Sequence, residues 1–224
     1  MGRPPWAAAG PLAGSVFPKY FRHPFRVSFY RRRLPHFHHI GHPLFLTWRL
    51  HGSVPPHRAF PASTLTSGKA FVAMDRLLDN ARTGPLYLSR PEIAQVVLDA
   101  LVYAQASLGH YALHAFVIMP NYVHLLLTRH VAAPKLLRSL KGITAKRANP
   151  MLGLTGQAFW QDESYDHLVR DGKEFNRIRA YIEENPVRAG LAAAAREYRW
   201  SSAWGGKARQ GAGCGPGGPP HRVD

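Results

Sequence analysis

The chain has 224 residues, 46% of them hydrophobic, which is enough to bury one core and excludes a fully disordered protein. Lys and Arg number 29 against 13 Asp and Glu, so the formal net charge is +16. This excess favours a polyanionic partner, because neutralising each phosphate releases condensed counterions. The alternative is a generally basic protein with no nucleic-acid role, which ranks second because the charge accompanies 5 Trp, 9 Tyr and 11 Phe.

The single cysteine, Cys214, excludes a disulfide framework and a cysteine zinc site, and it fits a reducing cytoplasm. No apolar run approaches the ~18–20 residues of a membrane span. The apolar run from Ala7 to Val16 is interrupted by Pro11 and makes a poor secretory signal. We therefore expect a cytoplasmic protein with no membrane partner.

The two ends of the chain differ in composition from its middle. Residues 1–33 are rich in Pro, Gly and Arg and end in Arg31, Arg32 and Arg33, which predicts a flexible basic arm. Residues 205–224 are rich in Gly and Pro, which predicts a disordered tail. One folded domain is expected over residues 34–204.

The predicted elements begin with a β-rich strand over residues 43–50. A helix follows over residues 70–80, where apolar residues recur at helical spacing. A longer helix is predicted over residues 91–108, with Ser89 as its N-cap and Pro91 in its first turn. The histidine-rich segment 35–42 that precedes the first strand is interpreted as a surface loop rather than a metal site.

A hairpin is predicted next, with strands over residues 111–119 and 122–129 joined by a Pro-Asn turn. Because side chains alternate across a strand, Tyr122 and His124 share one face. A ring donor two residues from a histidine, beside a turn, is typical of a metal site on a sheet. By the same alternation, His114 is expected to share a face with Phe116 and Ile118.

A helix over residues 133–148 is predicted to bury Leu136, Leu140 and Ile143. Its exposed side carries basic residues that either face solvent or contact phosphates: Lys135, Arg138, Lys141, Lys146 and Arg147. One or two short strands follow over residues 159–170, where Trp160 could stack on unpaired bases or belong to the core. The last helix is predicted over residues 173–185.

The order strand, helices, hairpin, helix, strand, helix predicts an α+β fold with an antiparallel sheet and helices packed on one face. The other face would be open for ligands. On the last helix, Tyr181 and Asn185 are four residues apart and share a face. They are either a boundary tyrosine with a C-terminal cap or, functionally, a nucleophile with a neighbouring polar group.

The sequence His114-Ala-Phe-Val-Ile-Met-Pro-Asn-Tyr-Val-His-Leu-Leu-Leu127 resembles the HUH motif of single-strand tyrosine transposases. Further segments are similar to the REP-associated tyrosine transposases, relatives of insertion-sequence transposases with one tyrosine. These segments are Arg31–His36, Phe45–Thr47, Phe159–Gln161, Ser164–Asp171, Tyr181–Leu191 and Tyr198–Ser202. The resemblance covers residues 31–204.

This resemblance implies a ferredoxin-like domain that cleaves and rejoins single-stranded DNA beside hairpins, as a monomer or homodimer. The family's nucleophile falls on Tyr181, its second metal histidine on His124 and its polar third ligand on Asn185. The first metal histidine falls on Tyr122. Because a phenol with a pKa near ~10 must lose a proton to become a good ligand, we expect a weakened Mg²⁺ or Mn²⁺ site and impaired cleavage.

Two other functions remain open at this point. A non-catalytic protein on the same fold would keep the basic surface and bind hairpin DNA without a metal site, with Arg31, Arg32, Arg33 and the basic helix contacting DNA. An RNA-binding module is also compatible with a sheet that carries aromatic residues, but the chain lacks the expected Gly/aromatic strand motif.

Overall fold

A computed structural model of the chain describes residues 28–31, 35–38, 40–53 and 84–205. The helix predicted over residues 70–80, most of the predicted basic arm, Arg32, Arg33 and all but the first residue of the predicted tail lie outside this described part. No helix within it combines the length and the apolar character needed to cross a membrane.

Four strands form an antiparallel sheet: β3 (Pro43–Leu50), β4 (Tyr111–Ile118), β5 (Tyr122–Arg129) and β6 (Trp160–Leu168). Their order is β4-β5-β3-β6, so β5 and β3 are central. These bounds confirm the predicted first strand and the predicted hairpin. Where one or two short strands are predicted over residues 159–170, residues 160–168 form one strand.

Two further strands, β1 (Ser28–Arg31) and β2 (Pro35–His38), pair antiparallel with each other. β1 lies within the segment that we predict to be a flexible arm, and β2 lies within the histidine-rich segment expected to be a loop. The pairing Arg31↔Pro35 crosses the predicted domain boundary at residue 33. A strand pair therefore joins the end of the arm to the start of the domain.

The helices are α1 (Pro91–Ala106), α2 (Ala133–Leu152), α3 (Gly172–Glu183) and the short α4 (Asn185–Arg188). The N-cap of α1 is Arg90, not the predicted Ser89, whose hydroxyl instead donates to the Leu86 carbonyl at 2.6 Å. The carboxylate of Asp171 caps α3 by accepting from the Glu174 amide at 2.8 Å, which satisfies one of the unpaired donors at the helix start.

The main core lies between one face of the sheet and helices α1 and α2. Alternate residues of the central strands point into it, among them Leu44, Leu46, Val123 and Leu125. Because α2 presents positions 136, 140, 144 and 148 to the sheet at a spacing of four, Thr144 is buried there. The predicted core residue Ile143 is instead 44% exposed.

The opposite face of the sheet carries a second, smaller core. Phe45, Tyr122 and Leu126 point into it, and Ile182 of α3 packs there beside the half-buried Phe175. The α+β class and the antiparallel sheet with packed helices confirm the predicted fold. The face that we expect to be open is covered in part by α3, which brings the last helix onto the strand pair β4-β5.

Trp160 belongs to the main core. Its side chain is 6% exposed, its Nε1 atom donates to the Thr144 hydroxyl at 2.8 Å, and its ring meets Trp48 edge-on at 6.0 Å. A side chain enclosed by the sheet and α2 cannot present its face to a DNA base. The predicted stacking role of Trp160 is therefore wrong, and the core alternative is correct.

A bulge in β4 changes the face on which His114 lies. The pairing of β4 with β5 shifts register between Leu113 and Ala115, which inserts one extra residue. The Nε2 atom of His114 is 2.8 Å from the Thr128 hydroxyl, and its ring lies 5.2 Å from that of Phe175 on α3. The expectation that His114 shares a face with Phe116 and Ile118 is wrong, because simple alternation fails at a bulge.

Titration of His114 should make the fold sensitive to acid. Burial, with a smaller effect from Arg179, lowers the pKa of His114 to about 4 from the ordinary 6.5 of an unfolded chain. Its contribution to stability is therefore present above pH ~6.5 and is lost as the pH falls toward 4, by up to about 3 kcal/mol. Urea unfolding at several pH values should show that the free energy of unfolding falls less in acid for His114→Leu than for the wild type. His130→Gln, at an exposed histidine, should keep the wild-type profile; identical profiles for all three proteins would contradict this.

Replacing Trp160 tests its assignment to the core. Trp160→Phe removes the indole N–H that bonds to Thr144 and should lower the free energy of unfolding by about 1–3 kcal/mol. The affinity of the folded protein for single-stranded DNA, measured by fluorescence anisotropy, should not change. Trp204→Phe, near the end of the described chain, serves as the matched control. A selective loss of DNA affinity in Trp160→Phe would restore the stacking role.

Candidate active site

The candidate site lies on the sheet face that α3 partly covers. In the pairing of β3 with β5, Thr47 is opposite His124 and Arg49 is opposite Tyr122. Side chains of directly paired residues point to the same face. Tyr181 reaches this face from the last turn of α3, and Asn185 reaches it from the start of α4. The four residues that we predict for the site therefore come together from one strand and two helices.

The aromatic rings at the site are close-packed. The ring of His124 lies 4.6 Å from that of Tyr122 and 6.1 Å from that of Tyr181, measured between centroids. Tyr122, His124 and Asn185 are fully buried, whereas Tyr181 is half-buried. The predicted nucleophile is consequently the member of the group that solvent can reach.

Two buried hydrogen bonds hold the polar atoms of the site. The Tyr122 hydroxyl donates to the Asn185 Oδ1 atom at 2.8 Å. The Thr47 hydroxyl and the Nδ1 atom of His124 are hydrogen-bonded at 2.7 Å. Pairing of this kind is required, because a buried polar group that lacks a partner costs about 1–3 kcal/mol. The strand β5 is thereby bonded to β3 through His124 and to α4 through Tyr122.

Two residues of β3 complete the site and are absent from the sequence prediction. Thr47 orients the imidazole of His124, and Phe45 packs its ring 5.4 Å from His124 and 6.5 Å from Tyr181. Both lie in the segment Phe45–Thr47, which the resemblance already includes. The signal that identifies them is strand register, because Thr47 is the direct partner of His124.

Arg188 is a third residue that the prediction omits. Its Cζ atom lies 3.9 Å from the centroid of the Tyr181 ring, which is a cation–π contact. Its Nη2 atom also donates to the backbone carbonyl of Tyr181 at 3.3 Å. The seven-residue separation, about two helical turns, is the available signal for this proximity.

The donor atoms do not fit a Mg²⁺ or Mn²⁺ ion as they are arranged. Such ions prefer carboxylate, carbonyl and water oxygens. Here the phenol keeps its proton and donates it to the amide oxygen of Asn185, so the two oxygens that could face a metal face each other. Within the described residues no group of three His, Cys, Asp or Glu side chains could hold a metal ion.

The predicted basic surface is only partly exposed. Lys135, Arg138, Lys146 and Arg147 of α2 are exposed, and Arg147 lies 3.7 Å from Asp99. Lys141 is half-buried, and its ammonium donates to the Gln161 and Asp162 carbonyls of the edge strand β6 at 2.7 and 3.0 Å. Burial lowers the pKa of Lys141 to about 8, against the opposing charges of Asp162 and Glu163. The prediction that Lys141 lies on the exposed side of the helix is wrong. Of the predicted arginines, Arg31 ends β1.

Comparisons with known proteins bear on this site. No curated protein matches the chain. Among solved structures, a REP-associated tyrosine transposase bound to a REP hairpin is 19% identical, with a TM-score of 0.43 over 78% of this chain and 81% of that one. A protein of Deinococcus radiodurans R1, described as a candidate transposase, is 21% identical, with a TM-score of 0.33 over 64% of this chain and 89% of that one.

The family comparison covers the site itself. Residues 90–185 match the family described as "Transposase IS200 like". This segment runs from the N-cap of α1 to the first residue of α4 and includes Tyr122, His124, Tyr181 and Asn185. Over the segment that carries the candidate nucleophile and its buried partners, the chain is similar to the IS200-like transposase family.

Proposed function

We propose that this protein cleaves and rejoins single-stranded DNA beside hairpins, with Tyr181 as the nucleophile. One observation carries the proposal: a half-buried tyrosine lies 6.1 Å from a fully buried histidine, inside the segment that matches the transposase family. The +16 charge supports a nucleic-acid substrate. The sequence resemblance to REP-associated transposases supports a hairpin with a flanking single strand.

The reaction is a transfer of one phosphodiester bond. The Tyr181 oxygen attacks the scissile phosphorus, the bond from phosphorus to the 3′-oxygen breaks, and a 5′-phosphotyrosine link forms. The phenolic proton passes to water, and the departing 3′-oxygen takes up a proton and becomes a 3′-hydroxyl. Because the link is itself a phosphodiester, attack by another 3′-hydroxyl reverses the step and rejoins DNA.

Binding of the substrate is assigned to the exposed cations of α2. Lys135, Arg138 and Lys146 share one exposed side of the helix and can contact phosphates there without reading sequence, whereas Arg147 points to another side and lies 3.7 Å from Asp99. Such contacts should make affinity fall with salt. We further propose that any divalent ion adds little to the rate of cleavage at Tyr181, because Tyr122 occupies the position where the resemblance places a histidine and bonds to Asn185.

One hydrogen bond favours a second function, which is binding of hairpin DNA without cleavage. The hydrogen bond from Tyr122 to Asn185 closes the site with atoms of the protein itself, at full burial. A protein that binds hairpin DNA without cleaving it would need the basic surface and this closed core, and nothing further at Tyr181. The two functions differ in one observable, which is a covalent link between protein and DNA.

Tyr181→Phe separates these two functions. Wild-type protein incubated with hairpin oligonucleotides that are labelled at the 3′ end should form a labelled adduct that survives denaturing electrophoresis. The Phe variant lacks the attacking oxygen and should form none. Tyr103→Phe, at an exposed tyrosine of α1, controls for loss of any phenol. An adduct retained in Tyr181→Phe would exclude this nucleophile, and its absence from wild type would favour the non-catalytic function.

Tyr122→His tests whether the phenol of Tyr122 weakens metal binding at the site. An imidazole presents a lone pair at neutral pH and cannot close the site in the same way. The variant should bind Mn²⁺ more tightly by calorimetry and gain adduct in its presence, by about 10-fold or more if a metal contact of several kcal/mol is restored. Tyr111→His, in the other core, is the control. Equal metal affinity and equal adduct in wild type and Tyr122→His would remove the idea of a weakened metal site.

A further inference from the structure

We propose that Arg188 supplies the positive charge for the Tyr181 reaction, so that strand cleavage in this protein proceeds without a divalent ion. The inference rests on the proposed function and adds to it the identity of the charged group. It starts from the mismatch between the buried donor atoms and a hard metal ion. A phosphoryl transfer still requires charge stabilisation on the phosphate, and a guanidinium can provide it.

The contact between Arg188 and Tyr181 places a cation over the ring of the nucleophile. The Cζ atom is 3.9 Å from the ring centroid, and one N–H bonds to the Tyr181 carbonyl at 3.3 Å. Arg188 is exposed, so a DNA strand that reaches Tyr181 from solvent also meets the guanidinium. An arginine has five N–H donors in a planar fork, which suits binding of two phosphate oxygens at once.

The buried hydrogen bond explains how Arg188 is held in place. Asn185 at the start of α4 is fully buried, Pro186 beside it is also buried, and Tyr122 bonds to Asn185 at 2.8 Å. Backbone bonds from Ala189 to Asn185 and from Leu191 to Pro186 then close the turn around Arg188. A chain of contacts thus runs from the central strand through Asn185 to the turn that carries Arg188. Tyr122 is a positioning residue for Arg188 in this arrangement.

The charges balance without a metal. Arg188 remains a cation throughout and donates hydrogen bonds to the non-bridging phosphate oxygens as negative charge builds up on them. The phosphorus gains a bond to the Tyr181 oxygen and loses its bond to the 3′-oxygen. Water accepts the phenolic proton and supplies the proton that the 3′-oxygen takes up. No oxidant, reductant or further reactant is needed.

The test measures adduct formation and DNA affinity on the full chain, with a pool of 3′-labelled hairpin oligonucleotides that carry randomised flanking strands. Wild type should form the adduct in EDTA at a rate within about twofold of that in Mg²⁺. Arg188→Gln should lower the rate by about 10²-fold, the usual effect of removing one oxyanion donor, with DNA affinity unchanged. Arg188→Lys should recover part of the rate, and added guanidinium should partly rescue Arg188→Gln.

Arg199→Gln is the matched control, because Arg199 is also exposed and also stacks on an aromatic ring, that of Trp200 at 4.7 Å. It should keep the wild-type rate. An adduct that forms only with Mg²⁺, or at an equal rate in Arg188→Gln, overturns the inference and leaves the proposed function intact. A loss of DNA affinity that accounts for the whole loss of rate also overturns it. No adduct from wild type under any condition overturns both.

Discussion

The hydrogen bond from Tyr122 to Asn185 is the contact on which the candidate site depends. It joins a central strand of the sheet to the junction between α3 and α4, with both residues fully buried. A buried amide or phenol that lost this partner would leave a polar group in an apolar core, so the two elements are held in one relative position. Tyr181 precedes this junction and Arg188 follows it, and the bond therefore sets where both lie.

One face of the sheet packs the larger hydrophobic core, and the other face carries the candidate site. One face packs aliphatic and aromatic side chains against α1 and α2, including Trp48 and Trp160. The other face mixes rings with paired polar atoms around His124 and, within the described residues, is covered in part by the amphipathic helix α3. Strand alternation makes this division possible, because each strand sends every second side chain to each face. The site can accordingly change its polar residues without disturbing the larger core.

A phenol and an imidazole at the same strand position lead to different electrostatics. An imidazole would offer a lone pair to a metal, which would bring positive charge into the buried cluster. The phenol of Tyr122 donates its hydrogen to Asn185 instead, so these two buried groups satisfy each other. Positive charge at Tyr181 is then found outside the cluster, on the exposed guanidinium of Arg188.

Much of the fold follows from local pattern. Alternation and turn residues are sufficient to predict β3 and the β4–β5 hairpin, and apolar spacing is sufficient to predict α1, α2 and α3 to within a few residues. The location of Tyr122 and His124 on the same face of one strand also follows from alternation. These features depend on neighbours in sequence, and that is why a single chain reveals them.

Other features depend on which elements meet, and only the tertiary structure decides them. The bulge that turns His114 toward α3 arises from the pairing of two strands, and the burial of Trp160 and Lys141 arises from contact between β6 and α2. The bond between Tyr122 and Asn185 spans 63 residues of sequence. By itself the sequence indicated four residues that could form the site, Tyr122, His124, Tyr181 and Asn185, but not Phe45, Thr47 or Arg188. The packing of α3 on the sheet decided that two of them bond to each other, because burial leaves a polar atom no partner except the one that the fold brings near.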